Sequence, residues 1–113
     1  MIVDDDPDMC WVLKATLELS GYSATVAQSG REALGLAARN AFSTAFIDAR
    51  LPDMDGLELA AKVGHHHRIA RIVIISGYYS ENDPSIVAAV RDKQVYAFLA
   101  KPFQIEAIEA ALV

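Results

Sequence analysis

Short apolar runs alternate with longer stretches of helical periodicity, and the alternation repeats five times along 113 residues. No other feature of the chain restricts its fold so tightly, because strands separated by helix-length segments pair in parallel through right-handed crossovers. The expected strands are Met1 to Val3, Ser23 to Ala27, Thr44 to Ile47, Arg71 to Ile75 and Val95 to Leu99. The run "IVIIS" is β-branched and apolar on both faces, as a central parallel strand requires. The prediction is therefore an α/β fold with a five-stranded parallel sheet, forming one domain over residues 1–113.

Five helical stretches lie between and after these strands. "MCWVLKATLELSG" is expected to place Met9, Val12, Leu13 and Leu17 on one inward face and to stop at Gly21. "SGREALGLAARN" opens with Ser29 and Glu32 at capping-box spacing. "DGLELAAKVGHHH" carries Leu57, Leu59, Ala60 and Val63 and is expected to run out at Gly64. "DPSIVAAVRD" has Pro84 at a first-turn position, and "QIEAIEAALV" is the last helix.

A sheet wound in this way brings the C-terminal ends of all its strands to one edge, where ligands of open α/β sheets bind. The residues just beyond the expected strands are Asp4 and Asp5, Asp48, Ser76 and Lys101. Three carboxylates gathered at one edge raise one another's pKa unless a cation lies among them. Mg²⁺ suits such hard oxygen donors and completes its shell with water and phosphate. In that setting Asp48 is the expected nucleophile toward phosphorus, with Lys101 and Ser76 stabilising the phosphoryl oxygens.

Composition removes several other classes. Ten basic against fifteen acidic residues give a formal charge of -5, so direct nucleic-acid binding by this domain is not expected. The opening "MIVDDDPD" lacks a secretory leader pattern, and the apolar run from Ile69 to Gly77 is interrupted by Arg71 and too short to span a membrane. One cysteine, Cys10, sits in an apolar helical pattern and reads as a small core residue. A cytoplasmic protein without membrane contact is expected.

With "IVDDDPDM", "FIDARLPDMDGLEL", "IVIISG" and "AFLAKPF" in this order, the chain resembles the receiver domain of two-component response regulators, including chemotaxis receivers, over essentially its whole length. The resemblance implies a flavodoxin-like doubly wound fold with strand order 2-1-3-4-5. It implies that Asp48 is the phosphoacceptor, that Asp5 ligates Mg²⁺ directly, that Asp4 acts mainly through water, and that the carbonyl of Arg50 is a further ligand. Ser76 matches the family's switch hydroxyl, Phe98 its switch aromatic and Lys101 its lysine, whose bond to Pro102 is typically cis in the family. The implied partners are a sensor histidine kinase or phosphotransfer protein and an output domain or partner protein, with a homodimer through the helix 4, strand 5 and helix 5 face also implied.

The first strand and last helix are shorter than in typical receivers, which suggests trimming from a longer regulator. A Mg²⁺-dependent aspartyl phosphatase is the rival enzyme, but the position where it needs a second acid is Arg50. A receiver that only docks partners is the other alternative. Asp6 or Asp8 reads as a helix cap, and Asp53 and Asp55 as turn and N-cap residues of the helix opening at Gly56. "HHHR", His65 to Arg68, reads as a solvated helix end, and Trp11 and Phe103 as packing residues. Phe98 suits either a switch or a plain core role, and a bulky Tyr78 beside the site is expected to slow loss of phosphate.

Overall fold

A computed structural model describes residues 1–66 and 69–112. The strands are β1 (Ile2–Val3), β2 (Val26–Ala27), β3 (Phe42–Asp48), β4 (Ile69–Ser76) and β5 (Ala97–Ala100). The helices are α1 (Pro7–Leu19), α2 (Gly30–Arg39), α3 (Gly56–His66), α4 (Pro84–Arg91) and α5 (Ile105–Ala111). The strands form one parallel sheet in the order β2-β1-β3-β4-β5, the flavodoxin-like arrangement.

Strand periodicity of two separates the core into two layers. Val3, Ala45, Ile47, Ile72 and Ile74 face α2, α3 and α4, meeting Ala33, Ala37, Leu59, Val63 and Ile86. Ile2, Phe46, Val73 and Ile75 face the other way, onto Cys10, Leu13 and Leu17 of α1 and Ile108 of α5. Burying each large apolar side chain of this kind contributes roughly 1.5–3 kcal/mol relative to leaving it exposed. β3 and β4, which are apolar toward both layers, contribute to each of them.

Several boundaries differ from the sequence expectation. β2 is two residues rather than five, because β1 offers it only the Ile2–Val26 and Val3–Ala27 pairs. β3 and β4 begin earlier and include Asp48 and Ser76 as their last residues, since each pairs along the other from Phe42–Ile69 to Asp48–Ile75. β5 starts at Ala97, because the Val95 amide donates to the Ala89 carbonyl at the end of α4. α3 continues past Gly64 to His66, so a glycine alone did not end it. Of "HHHR", His67 and Arg68 lie outside the described residues.

Helix starts follow their capping residues closely. Asp6 caps α1 by accepting from the Asp8 amide (3.0 Å), and Asp83 caps α4 from the Ser85 amide (2.9 Å), each followed by proline at a first-turn position. Ser29 caps α2 through the Glu32 amide at 3.1 Å. The inward stripe of α1 is Cys10, Leu13, Thr16 and Leu17, with Met9 half-buried. Val12 lies one step off that stripe and is 40 % exposed, and Trp11 is 73 % exposed, so neither packs as expected. Phe103 is partly buried against the α1 and α5 layer, as expected of a packing residue.

Asp55 behaves as expected, accepting from the Leu57 amide at 2.7 Å at the start of α3. Asp53 does not serve that helix. Its two carboxylate oxygens accept from the Gly30 and Arg31 amides (2.8 and 2.9 Å), so it caps α2 from a distant loop. These bonds hold its carboxyl below the usual carboxylate range. Gly56 is required by proximity: a Cβ there would strike the carbonyl oxygen of Asp48, and its amide donates to the Ala49 carbonyl at 2.7 Å.

Candidate functional site

Asp4 follows β1, Asp48 and Ser76 end β3 and β4, and Lys101 follows β5, so parallel pairing brings all of them to one sheet edge. Oxygens of Asp4, Asp5 and Asp48 lie within 4.8 Å of one another. The Lys101 Nζ stands 3.3 Å from Asp4 Oδ2 and 3.6 Å from Asp48 Oδ2. The cluster expected from the sequence is thus assembled.

Its members are held differently. Asp4 is buried, and its Oδ1 accepts from the Asp6 amide at 2.9 Å. The Asp4 carbonyl accepts from the Cys10 thiol at 3.2 Å, so that buried side chain also braces the loop. Asp5 is exposed and points its carboxylate into the mouth of the cluster. Asp48 is half-buried, with Oδ1 accepting from the Arg50 amide at 3.3 Å.

Burial pushes the Asp48 carboxyl above the usual carboxylate range, and the Asp4 charge adds to the push. The Arg50 amide and the Lys101 ammonium act against it. One ammonium facing two carboxylates leaves the cluster net negative. Three hard oxygen donors at this spacing therefore fit a divalent cation such as Mg²⁺ or Ca²⁺.

Lys101 is positioned by its backbone, since its amide donates to the Ser76 carbonyl at 2.8 Å. The following bond to Pro102 is cis. The Ser76 Oγ is buried and accepts from the amides of Tyr78 and Tyr79, at 2.8 and 2.9 Å. Phe98 is half-buried on β5 and packs against the layer formed with α2, α3 and α4. The Arg50 guanidinium does not enter the cluster; it stacks on the Tyr78 ring, 4.3 Å from its centroid.

One residue of this edge, Tyr79, escaped the sequence reading. The Tyr79 hydroxyl donates to Asp55 Oδ2 at 3.2 Å, and its ring meets that of Tyr78 edge-on with centroids 5.0 Å apart. No periodicity or spacing marks such a cross-loop pair. The similar residues of a cluster at strand ends were visible because the fold itself predicts where strand ends meet.

Comparison with known proteins finds similarity over the whole chain. The family described as "Response regulator receiver domain" matches residues 1–113. The nitrogen assimilation regulatory protein NtrX of Azorhizobium caulinodans is 36 % identical over 105 residues, covering 91 % of this chain and 22 % of that protein. The transcriptional regulatory protein GlrR of Escherichia coli is 32 % identical over 112 residues, covering 99 % of this chain and 24 % of that protein. The chain thus spans about a quarter of the length of these curated relatives. Among solved structures, a response regulator protein from Burkholderia pseudomallei with a phosphorylated aspartic acid, calcium ion and citrate superposes with a TM-score of 0.87. It is 35 % identical, and the match covers 99 % of this chain and 64 % of that one.

Proposed function

The chain belongs to the response regulator receiver domain family, and from that premise we propose that Asp48 is the side chain that takes up the phosphoryl group. The observation that carries this is the convergence of Asp4, Asp5, Asp48 and Lys101 at one sheet edge, with Lys101 within 3.6 Å of Asp48. A carboxylate oxygen of Asp48 forms the new bond to phosphorus while the bond to the donor breaks and its electron pair leaves with the donor. Lys101 lies where it can follow the charge from the carboxylate onto the phosphoryl oxygens, and the Ser76 hydroxyl supplies a hydrogen bond to another.

The acids fit Mg²⁺, with Asp5 and Asp48 as direct ligands, Asp4 acting through water and the Arg50 carbonyl completing the protein's share. When bound, the ion neutralises the acids and the incoming phosphoryl charge. Ser76 and Phe98 form the switch, and the surface that reports it is the face of α4, β5 and α5. Val87, Val90, Tyr96 and Ile105 expose apolar surface on and beside these elements, which supports a protein contact there.

In this reading a sensor histidine kinase or phosphotransfer protein supplies the phosphoryl group, and an output domain or partner protein, or a second copy through the same face, reads the result. The unit works in the cytoplasm as a receiver within a longer regulator. Among the described residues no helix is long and apolar enough to cross a membrane. The domain assists its own phosphorylation and dephosphorylation and is not a separate enzyme. The position where an aspartyl phosphatase would use a second acid is occupied by Arg50.

Incubation with Mg²⁺ and acetyl phosphate, followed by intact mass measurement, tests the assignment. One phosphoryl adduct is expected in wild type and none in Asp48→Asn. An adduct that survives in Asp48→Asn overturns the residue assignment. Wild type without an adduct overturns the phosphoacceptor reading in favour of a docking-only receiver.

A further inference from the structure

Ser76, on which the switch depends, is tied to its own loop. Its Oγ accepts from the Tyr78 and Tyr79 amides, and that loop is in turn fastened to the loop after β3 by side chains alone. The Tyr79 phenol donates to Asp55 Oδ2, while the other Asp55 oxygen caps α3 through Leu57. Tyr78 stands edge-on against Tyr79, Arg50 stacks on Tyr78, and Arg50 pairs with Asp55 as an isolated antiparallel bridge. The contacts form a closed circuit: Asp55, Tyr79, Tyr78, Arg50 and back to Asp55.

One element of that circuit is a hydrogen bond from a phenol to a carboxylate, and it lies at the surface. The Tyr79 ring itself is half-buried against the core, so the residue is an anchored arm ending in one hydrogen bond. For the Ser76 hydroxyl to turn toward a phosphoryl group on Asp48, either both amide bonds to Oγ must break or residues 77–79 must move with it. The second route requires the Tyr79 bond to Asp55 to break.

We propose that Tyr79 is a positioning residue whose hydroxyl, bound to Asp55, latches the Ser76 loop in the arrangement seen here and thereby sets how readily the phosphorylated state is reached. This rests on the assignment of Asp48 as phosphoacceptor. A latch that stabilises one of two loop positions lowers apparent affinity for any ligand preferring the other by the same factor.

The test is Tyr79→Phe, which removes the hydroxyl and keeps the ring. Two quantities are measured: amide hydrogen exchange at Tyr78 and Tyr79 without ligand, and affinity for fluoroberyllate, a phosphoryl mimic, in the presence of Mg²⁺. Each is expected to rise about fivefold, the worth of one net hydrogen bond. Asp55→Ser keeps a cap for Leu57 but is too short to reach the phenol, and it must reproduce both changes. Unchanged exchange in either variant overturns the latch. Faster exchange with unchanged or weaker fluoroberyllate binding overturns its regulatory role. Wild type that binds no fluoroberyllate overturns the Asp48 assignment and the latch's role with it, a result distinct from the first two.

Discussion

On the β1 side of Asp48, the facing groups are fastened by buried contacts: Asp4 is held by the Asp6 amide, the Cys10 thiol and the Lys101 ammonium. On the β4 side, Ser76 is equally buried, but its Oγ binds a loop whose outer attachments are the half-buried Tyr79 and the exposed side chains of Tyr78, Arg50 and Asp55. The first flank collects charge and resists displacement. The second keeps its polar group satisfied through bonds that cost little to exchange. The proposed function, holding a cation and reporting a chemical change, calls for both kinds of wall.

The largest effect should come from breaking the fixed flank. Lys101→Ala removes the cation that faces both acids, and the rate of adduct formation from acetyl phosphate should fall about a hundredfold. Time-resolved intact mass would measure it, and a change below threefold would mean that the ammonium does not follow the phosphoryl charge.

An intermediate effect follows from the crowding of Asp48 itself. Burial and Asp4 raise its pKa above the usual 3.8, so folding disfavours its ionised form. Stability is lost as pH rises through 3.8 and the loss is complete above the raised folded value. Asp48→Asn should therefore melt about 2–5 °C higher than wild type at pH 7 without divalent ions, an allowance that includes solvent screening. The gain should disappear below pH 3.8, where wild type is protonated in both states. Thermal melts across that range would show it, and a variant less stable than wild type at pH 7 would remove the crowding account.

The smallest effect belongs to the adjustable flank. Tyr78 is 65 % exposed, its amide binds the buried Ser76 and Arg50 stacks on its ring. Tyr78→Ala should shorten the phosphate half-life roughly threefold by admitting water. Decay of the adduct after removal of donor would measure it, and an unchanged half-life would leave the pair without a shielding role.

The sequence disclosed the fixed flank better than the adjustable one, for a physical reason. Asp4, Asp48, Ser76 and Lys101 follow apolar runs, and runs of that kind pair in only a few ways, so their ends were predictable neighbours. Register was less legible: the two-residue β1 lies between a two-residue β2 and a seven-residue β3, and apolar pattern alone does not say how much of each strand finds a partner. Asp53 capping α2 and Tyr79 reaching Asp55 were invisible, because each joins loops more than 20 residues apart through one side chain. Trp11 failed for another cause, since hydrophobicity predicts burial only where a neighbouring element covers the position, and among the described residues none covers it enough to bury it.

The close approach of Gly56 to the Asp48 carbonyl has a consequence for anyone transplanting this chemistry into another scaffold. The Asp48 backbone and the entrance to α3 are spliced so tightly that the segment from Asp48 to Gly56 forms one indivisible cassette. Grafting the acids alone, onto a host whose corresponding turn carries any larger residue, would import the ingredients without the mould that shapes them.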